Sequence, residues 1–135
     1  MTRFSKNLLA GLLILPMTAG FAFAETVKVS LEDNAIKIDH ASVKQGKVTF
    51  DVVNDSMTEK HEMVVISKPA GEMPYDAKTK RVIEKKIKSF GEVADLKTGA
   101  KGSVTLNLKA GEYVLICNIP GHYMDGMKVN FTVTP

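Results

Sequence analysis

GEYVLICNIPGHYMDGMKVNFTV, Gly111 to Val133, reads as strand, loop and strand. Tyr113 to Ile116 is an apolar run, and Val129, Phe131 and Val133 alternate at period two, so both flanks have strand character. Between them, Cys117 to Met127 holds the only cysteine, one of three histidines and two of seven methionines. A loop joining two adjacent strands can turn its side chains toward one centre. Cys117, His122 and Met127 are spaced C-x4-H-x4-M, and a thiolate, an imidazole and a distant thioether form a soft, low-symmetry donor set that suits copper. That arrangement calls for a second imidazole, and His61 supplies it at the head of HEMVVIS, where a strand can lie beside the one ending at Cys117. One ligand on a strand and three in a loop anchored at both ends would hold the geometry nearly fixed in both oxidation states. Met124 competes with Met127 for the axial place, but Met127 sits where the returning strand begins. Met63 reads as core and His40 as a surface loop residue. For Cys117 itself, a buried inert thiol and a pairing between chains are the other readings.

Outward from this stretch the chain continues as short strands. Val27, Val29 and Leu31 alternate, as do Val48, Phe50 and Val52, and Val104, Leu106 and Leu108; EMVVIS is apolar almost throughout, as a strand buried on both faces would be. Gln45-Gly46, Thr98-Gly99, Lys101-Gly102 and Ala110-Gly111 mark turns. The pattern predicts an all-β Greek-key sandwich. One stretch departs from it: over residues 76–90, DAKTKRVIEKKIKSF, the apolar Ile83, Ile87 and Phe90 fall at i, i+4 and i+7. Asp76 can cap the start and Gly91 the end, which predicts one short inserted amphipathic helix. Its outer face carries Lys78, Lys80, Arg81, Lys85, Lys86 and Lys88 against Glu84; this is either a solvated face or a docking patch for an acidic partner.

The chain has 135 residues. Residues 1–24 read as a secretory signal peptide: Arg3 and Lys6, an apolar run from Leu8 to Phe23, then the small-x-small Ala22-Phe23-Ala24. A membrane anchor is the alternative, but the run is short of the ~20 residues a spanning helix needs, and Pro16 interrupts it. Cleavage after Ala24 leaves one domain, residues 25–135, with no stable membrane span. Without Arg3 and Lys6 the 18 basic residues fall to 16 against 15 acids. So neutral a balance argues against a nucleic-acid partner. Export points to the periplasm.

From about Ile36 to Val133 the chain resembles the cupredoxins, the plastocyanin and azurin superfamily of small blue copper proteins. VKQGKVTFDVVN resembles their early strand and GEYVLICNIPGH the strand leading to the copper cysteine, with loop spacing closest to rusticyanins, auracyanins and sulfocyanins. The resemblance implies an eight-stranded sandwich binding one copper ion, Cu(I)/Cu(II), through His61, Cys117, His122 and Met127. It implies a monomeric one-electron carrier, not an enzyme, serving redox proteins such as cytochromes or oxidases, acidic ones if the basic face docks them. Copper sequestration or delivery is the other function such a site would serve. A Cys-His hydrolase finds no further acyl-transfer group in the loop, and copper oxidases need more histidines than three. One position departs from the family pattern: Glu62 stands where a small polar residue usually braces the cysteine loop, which leaves Asn54 as the candidate brace.

Overall fold

The computed structural model describes residues 24–135; the expected signal peptide, 1–24, lies outside them except for Ala24. The described strands are β1 (Glu25–Glu32), β2 (Ala35–Ile38), β3 (Ser42–Lys44), β4 (Gly46–Asn54), β5 (His61–Ser67), β6 (Tyr75–Asp76), β7 (Arg81–Val82), β8 (Ser89–Leu96), β9 (Lys101–Leu108), β10 (Gly111–Ile116) and β11 (Lys128–Thr134). They form a four-stranded sheet, β2-β1-β4-β9, a five-stranded sheet, β3-β11-β10-β5-β8, and a two-stranded hairpin, β6-β7. Pairing is antiparallel except for β1 with β4 and β11 with β3. The all-β sandwich expected from the alternating strands is present. Among these residues no helix is long and apolar enough to cross a membrane.

The main core lies between the two large sheets, because each alternating strand turns one apolar row inward. Val27, Val29 and Leu31 of β1 and Val48, Phe50 and Val52 of β4 meet Met63, Val65, Leu115, Phe131 and Val133 from the facing sheet. Phe50 and Phe131 touch edge to face with centroids 5.3 Å apart, a geometry that adds about 0.5–1.5 kcal/mol beyond the area buried.

The five-stranded sheet is buried on its other face as well. Val64, Ile66, Val114 and Ile116 point away from the main core and form a second cluster with Val82, against which Met73, Tyr75, Ile87 and Tyr123 pack. The segment between β5 and β8 is therefore a flap laid over the outside of the sheet, which accounts for the unbroken apolar run of β5.

The helix expected over residues 76–90 does not form; β6, β7, a single 3-10 turn at Glu84–Lys86 and the start of β8 occupy that stretch. Asp76 caps a chain reversal instead of a helix: its carboxylate accepts from the Lys78 N–H and the Thr79 hydroxyl, both at 2.9 Å, and Lys80 turns the chain with φ of 56°. The apparent helical spacing comes from residues that serve different places. Ile87 packs on the outer cluster and Phe90 on the main core, edge to face with Tyr113 at 5.0 Å. Lone short helices are marginal in water, so burial of the flap against the sheet decided its backbone.

Candidate metal centre

Three chemistry-bearing side chains meet at one end of the sandwich. His61 is the first residue of β5, Cys117 follows the last residue of β10, and β5 and β10 are antiparallel neighbours with Ile116 opposite Val64. The connection from β10 to β11 returns His122 and Met127 to the same place. It is closed on itself by backbone bonds: Cys117 N–H to the Met127 carbonyl at 3.1 Å, Met127 N–H to the His122 carbonyl at 3.0 Å, and His122 N–H to the Ile119 carbonyl at 3.1 Å. Gly126 permits the last turn. Its φ is 117°, and a β-carbon there would lie 2.9 Å from the Asn34 carbonyl oxygen, so neither the backbone nor the space suits a side chain.

The donor atoms of His61, Cys117 and His122 all lie within 4.8 Å of one another. His61 Nδ1 is 3.1 Å from His122 Nδ1, and Cys117 Sγ is 3.9 Å from the first and 3.5 Å from the second. Two first-row metal bonds span up to about 4.0 Å between nitrogens and about 4.3 Å between nitrogen and sulfur, so one ion reaches all three. The protonation pattern agrees. His122 Nε2 lies 3.1 Å from Glu59 Oε2; a carboxylate only accepts, so the neutral ring carries its proton on Nε2 and turns the Nδ1 lone pair inward. Two facing Nδ1 atoms need a proton or a cation between them, and two imidazoles with a thiolate are the donor set of a copper ion.

Burial tunes these groups. His61 and Cys117 are fully buried. Burial pushes the Cys117 thiol above its ordinary range, while the N–H groups of Glu62 and Ile119 draw it back; the Glu62 N–H lies 3.5 Å from Sγ. Burial, then the coupling to the neighbouring His122 ring, lowers the pKa of His61 and favours its neutral imidazole. Among the described residues, His61 Nε2 has no hydrogen-bond partner. Met127 is fully buried beside these residues, whereas Met124 is 60% exposed. His40 stands apart, exposed and paired with Asp39 at 3.0 Å.

Three positioning residues escaped the sequence reading or were misplaced by it. Asn118 reaches across to the flap: its Oδ1 accepts from the Val82 N–H at 2.7 Å, and its Nδ2 donates to the Val82 carbonyl at 3.0 Å and Glu84 Oε1 at 2.7 Å. Gly121 N–H donates to the Lys80 carbonyl at 2.9 Å, so the flap fastens the loop at two points between Cys117 and His122. Glu59 orients His122 from outside. Asn54 does not brace the cysteine loop as expected; its Nδ2 donates to the carbonyls of Glu59 and Leu96 at 2.9 and 2.8 Å, which fixes the turn before His61. Glu62 is half-buried, its pKa raised by burial and then by Glu92, and its carboxylate accepts the Asn118 N–H. A bond donor beside the cysteine was the one available signal for Asn118; nothing in the sequence showed which segment it would meet.

Comparison with known proteins agrees with this geometry. Residues 25–134 match the family described as copper binding proteins, plastocyanin/azurin family. Auracyanin-B of Chloroflexus aurantiacus is 54% identical over 43 residues, 31% of this chain and 18% of that protein, so the match spans under a fifth of the relative's length. The structure of auracyanin B superposes with a TM-score of 0.59 at 27% identity, covering 83% of this chain and 90% of that one. Reduced auracyanin from the photosynthetic bacterium Roseiflexus castenholzii gives 0.63 at 21%, covering 84% and 100%. Rusticyanin from Thiobacillus ferrooxidans gives 0.58 at 19%, covering 83% and 79%. A match running from the first strand to the last, around a buried two-histidine, one-cysteine cluster, means that the chain belongs to the plastocyanin/azurin family of copper binding proteins.

Proposed function

We propose that this protein is an exported one-electron carrier holding a single copper ion through His61, Cys117, His122 and Met127. The observation that carries the reading is the convergence of His61 Nδ1, His122 Nδ1 and Cys117 Sγ within 4.8 Å. When bound there, copper supplies a Cu(I)/Cu(II) couple. The chain's own part is to keep the donors still. His61 is held by a strand, Cys117 and His122 by a loop closed with its own backbone bonds, and the His122 ring by Glu59. Little rearrangement then accompanies gain or loss of an electron, and the surrounding apolar core excludes water. Only His122 among the four reaches the surface, its side chain 12% exposed, so its ring is the route by which an electron passes to partners such as cytochromes or oxidases.

Burial also separates this reading from copper delivery. Handing over the ion requires an incoming ligand to reach it, and His61, Cys117 and Met127 are each 0% exposed. Carriage needs only electronic contact at the edge. In this reading residues 1–24 are cleaved after export to the periplasm, and the remaining domain works as a monomer and not as an enzyme.

Titration of the purified domain with Cu(II) tests the proposal. One equivalent should give an intense blue colour that bleaches with a mild reductant and returns on reoxidation, without loss of metal. A colourless complex, or metal lost at each reduction, would refute electron carriage by this site.

A further inference from the structure

The flap that braces the ligand loop also carries an uncompensated charge. Lys78, Lys80, Arg81, Lys85, Lys86 and Lys88 are all exposed, and among the described residues none of them is in an ion pair. Of the acids nearby, three are already engaged, and Glu92 is exposed beside them. Asp76 accepts from Lys78 and Thr79, Glu84 accepts from Asn118, and Glu62 is half-buried against Asn118. The flap's inner face is taken by Val82, Ile87, Tyr75 and Met73 against the sheet, so the cations stand on its outer face and rim. The flap is not a remote appendage: the Lys80 carbonyl holds the Gly121 N–H, one residue from His122, the ring proposed as the exit.

Resting on the electron-carrier reading, we propose that this basic flap is the docking surface for an acidic face of the redox partner. An unpaired cluster of cations raises the encounter rate of a complementary surface by 10-fold or more at low salt. Because the cluster adjoins His122, an acidic partner drawn to it arrives with the exit ring at the interface. Attraction to an anionic membrane is the weaker reading, since the flap presents no amphipathic helix with an apolar face to enter a bilayer.

The test compares two triple variants of the copper-loaded protein. Lys78→Gln, Lys85→Gln and Lys86→Gln removes charge from the flap, all three being exposed and none touching the ligand loop. Lys44→Gln, Lys47→Gln and Lys109→Gln removes the same charge from the opposite end, since Lys47 lies about 23 Å along β4 from Asn54 at roughly 3.3 Å per residue. Stopped-flow oxidation by an acidic cytochrome at 0.01 M ionic strength should slow about tenfold in the flap variant and little in the other. The difference should fade above 0.15 M, where the Debye length is about 8 Å. Affinity for the same cytochrome, read by calorimetry, should fall in parallel. Equal rates and affinities in the two variants would overturn the docking surface, as would flap-dependent binding to anionic phospholipid vesicles with no effect on the cytochrome. Oxidation by a small uncharged reagent should be unaffected in both variants. If the native protein itself fails to cycle with that reagent, the carrier reading is what falls, and the calorimetry still judges docking.

Discussion

Replacing Asn118 by alanine should loosen both the flap and the metal loop. The side chain makes three bonds, two to the backbone of Val82 and one to the Glu84 carboxylate. Val82 is only 3% exposed, so truncation leaves a buried N–H and a buried carbonyl unpaired. Each such group costs about 1–3 kcal/mol; with some water entering the vacated space, the lower half of that range applies, or about 2–4 kcal/mol in all. For the 111 residues 25–135, an unfolding entropy near 2.1 cal/mol/K per residue gives about 0.23 kcal/mol/K, hence a fall in Tm of about 9–17 °C. Circular dichroism of the metal-free domain measures it. Asn118→Asp should be worse than alanine at pH 7, because the introduced carboxylate faces Glu84. It should recover as the pH falls and that carboxylate, its pKa raised in the fold, becomes protonated. A role confined to the flap is separated by the metal-loaded protein: if Asn118 positions the loop, the charge-transfer band and the stabilisation by copper change too. A Tm within about 2 °C of the native value would refute the brace altogether, and an unchanged band with a lowered Tm would confine it to the flap.

The gathered donor site exists only in the folded state, so loading should raise the Tm; the rise should shrink in His61→Ala and His122→Ala and persist in His40→Ala, as differential scanning calorimetry would show. Met127→Gln should lower the reduction potential, since a harder oxygen donor favours Cu(II), while the exposed Met124 can change to Gln with little effect; voltammetry showing the reverse would move the axial role to Met124. Stability of the metal-free domain should decline as the pH falls below about 6.5. The unfolded chain binds a proton at His61 there, while the folded pKa is lowered by burial and His122, and the loss levels off below that folded value with a slope of at most about 1.4 kcal/mol per unit. Denaturant unfolding between pH 7.5 and 5 would show the slope diminished in His61→Ala.

What could be read from the sequence was what repeats locally. β1, β4, β9 and β11 alternate cleanly, because each has one face in the core. The donors of the loop lay close in sequence, and His61 was found because it heads a strand. β8 went unseen for a physical reason: its pairing with β5 shifts register between His61 and Met63 and again between Val65 and Ile66. Its inward Val93 and Leu96 therefore fall three apart, and bulges of this kind erase the period of two. The flap misled for the opposite reason. Its spacing happened to match a helix, while the sheet face that buries it is assembled from β5 and β10, whose paired Ile66 and Val114 stand 48 positions apart in the chain. Asn118 belonged to the same blind spot, since its partner Val82 is 36 positions distant.

The brace matters because the metal-free site works against the fold. His61 is buried with Nε2 unpaired, and its Nδ1 faces another imidazole nitrogen at 3.1 Å. Each unsatisfied buried polar atom costs on the order of 1–3 kcal/mol. Left alone, such a loop would relax by swinging His122 outward to water. Four anchors oppose that swing: Glu59 on the His122 ring, Lys80 on Gly121, Val82 with Glu84 on Asn118, and the Cys117–Met127 backbone pair. The cost of gathering the donors is thus met when the chain folds rather than when the ion arrives, so the donors need little ordering on binding and little movement afterward. It follows that weakening any one anchor should first show as mobility of His122 in the metal-free protein, seen as exchange broadening of its ring signals by NMR, before the global fold is lost. A His122 ring that stays sharp when Glu59 is changed to Gln and Asn118 to Ala together would mean that the loop's own backbone bonds suffice, and the flap would be left with covering the sheet and presenting its charge.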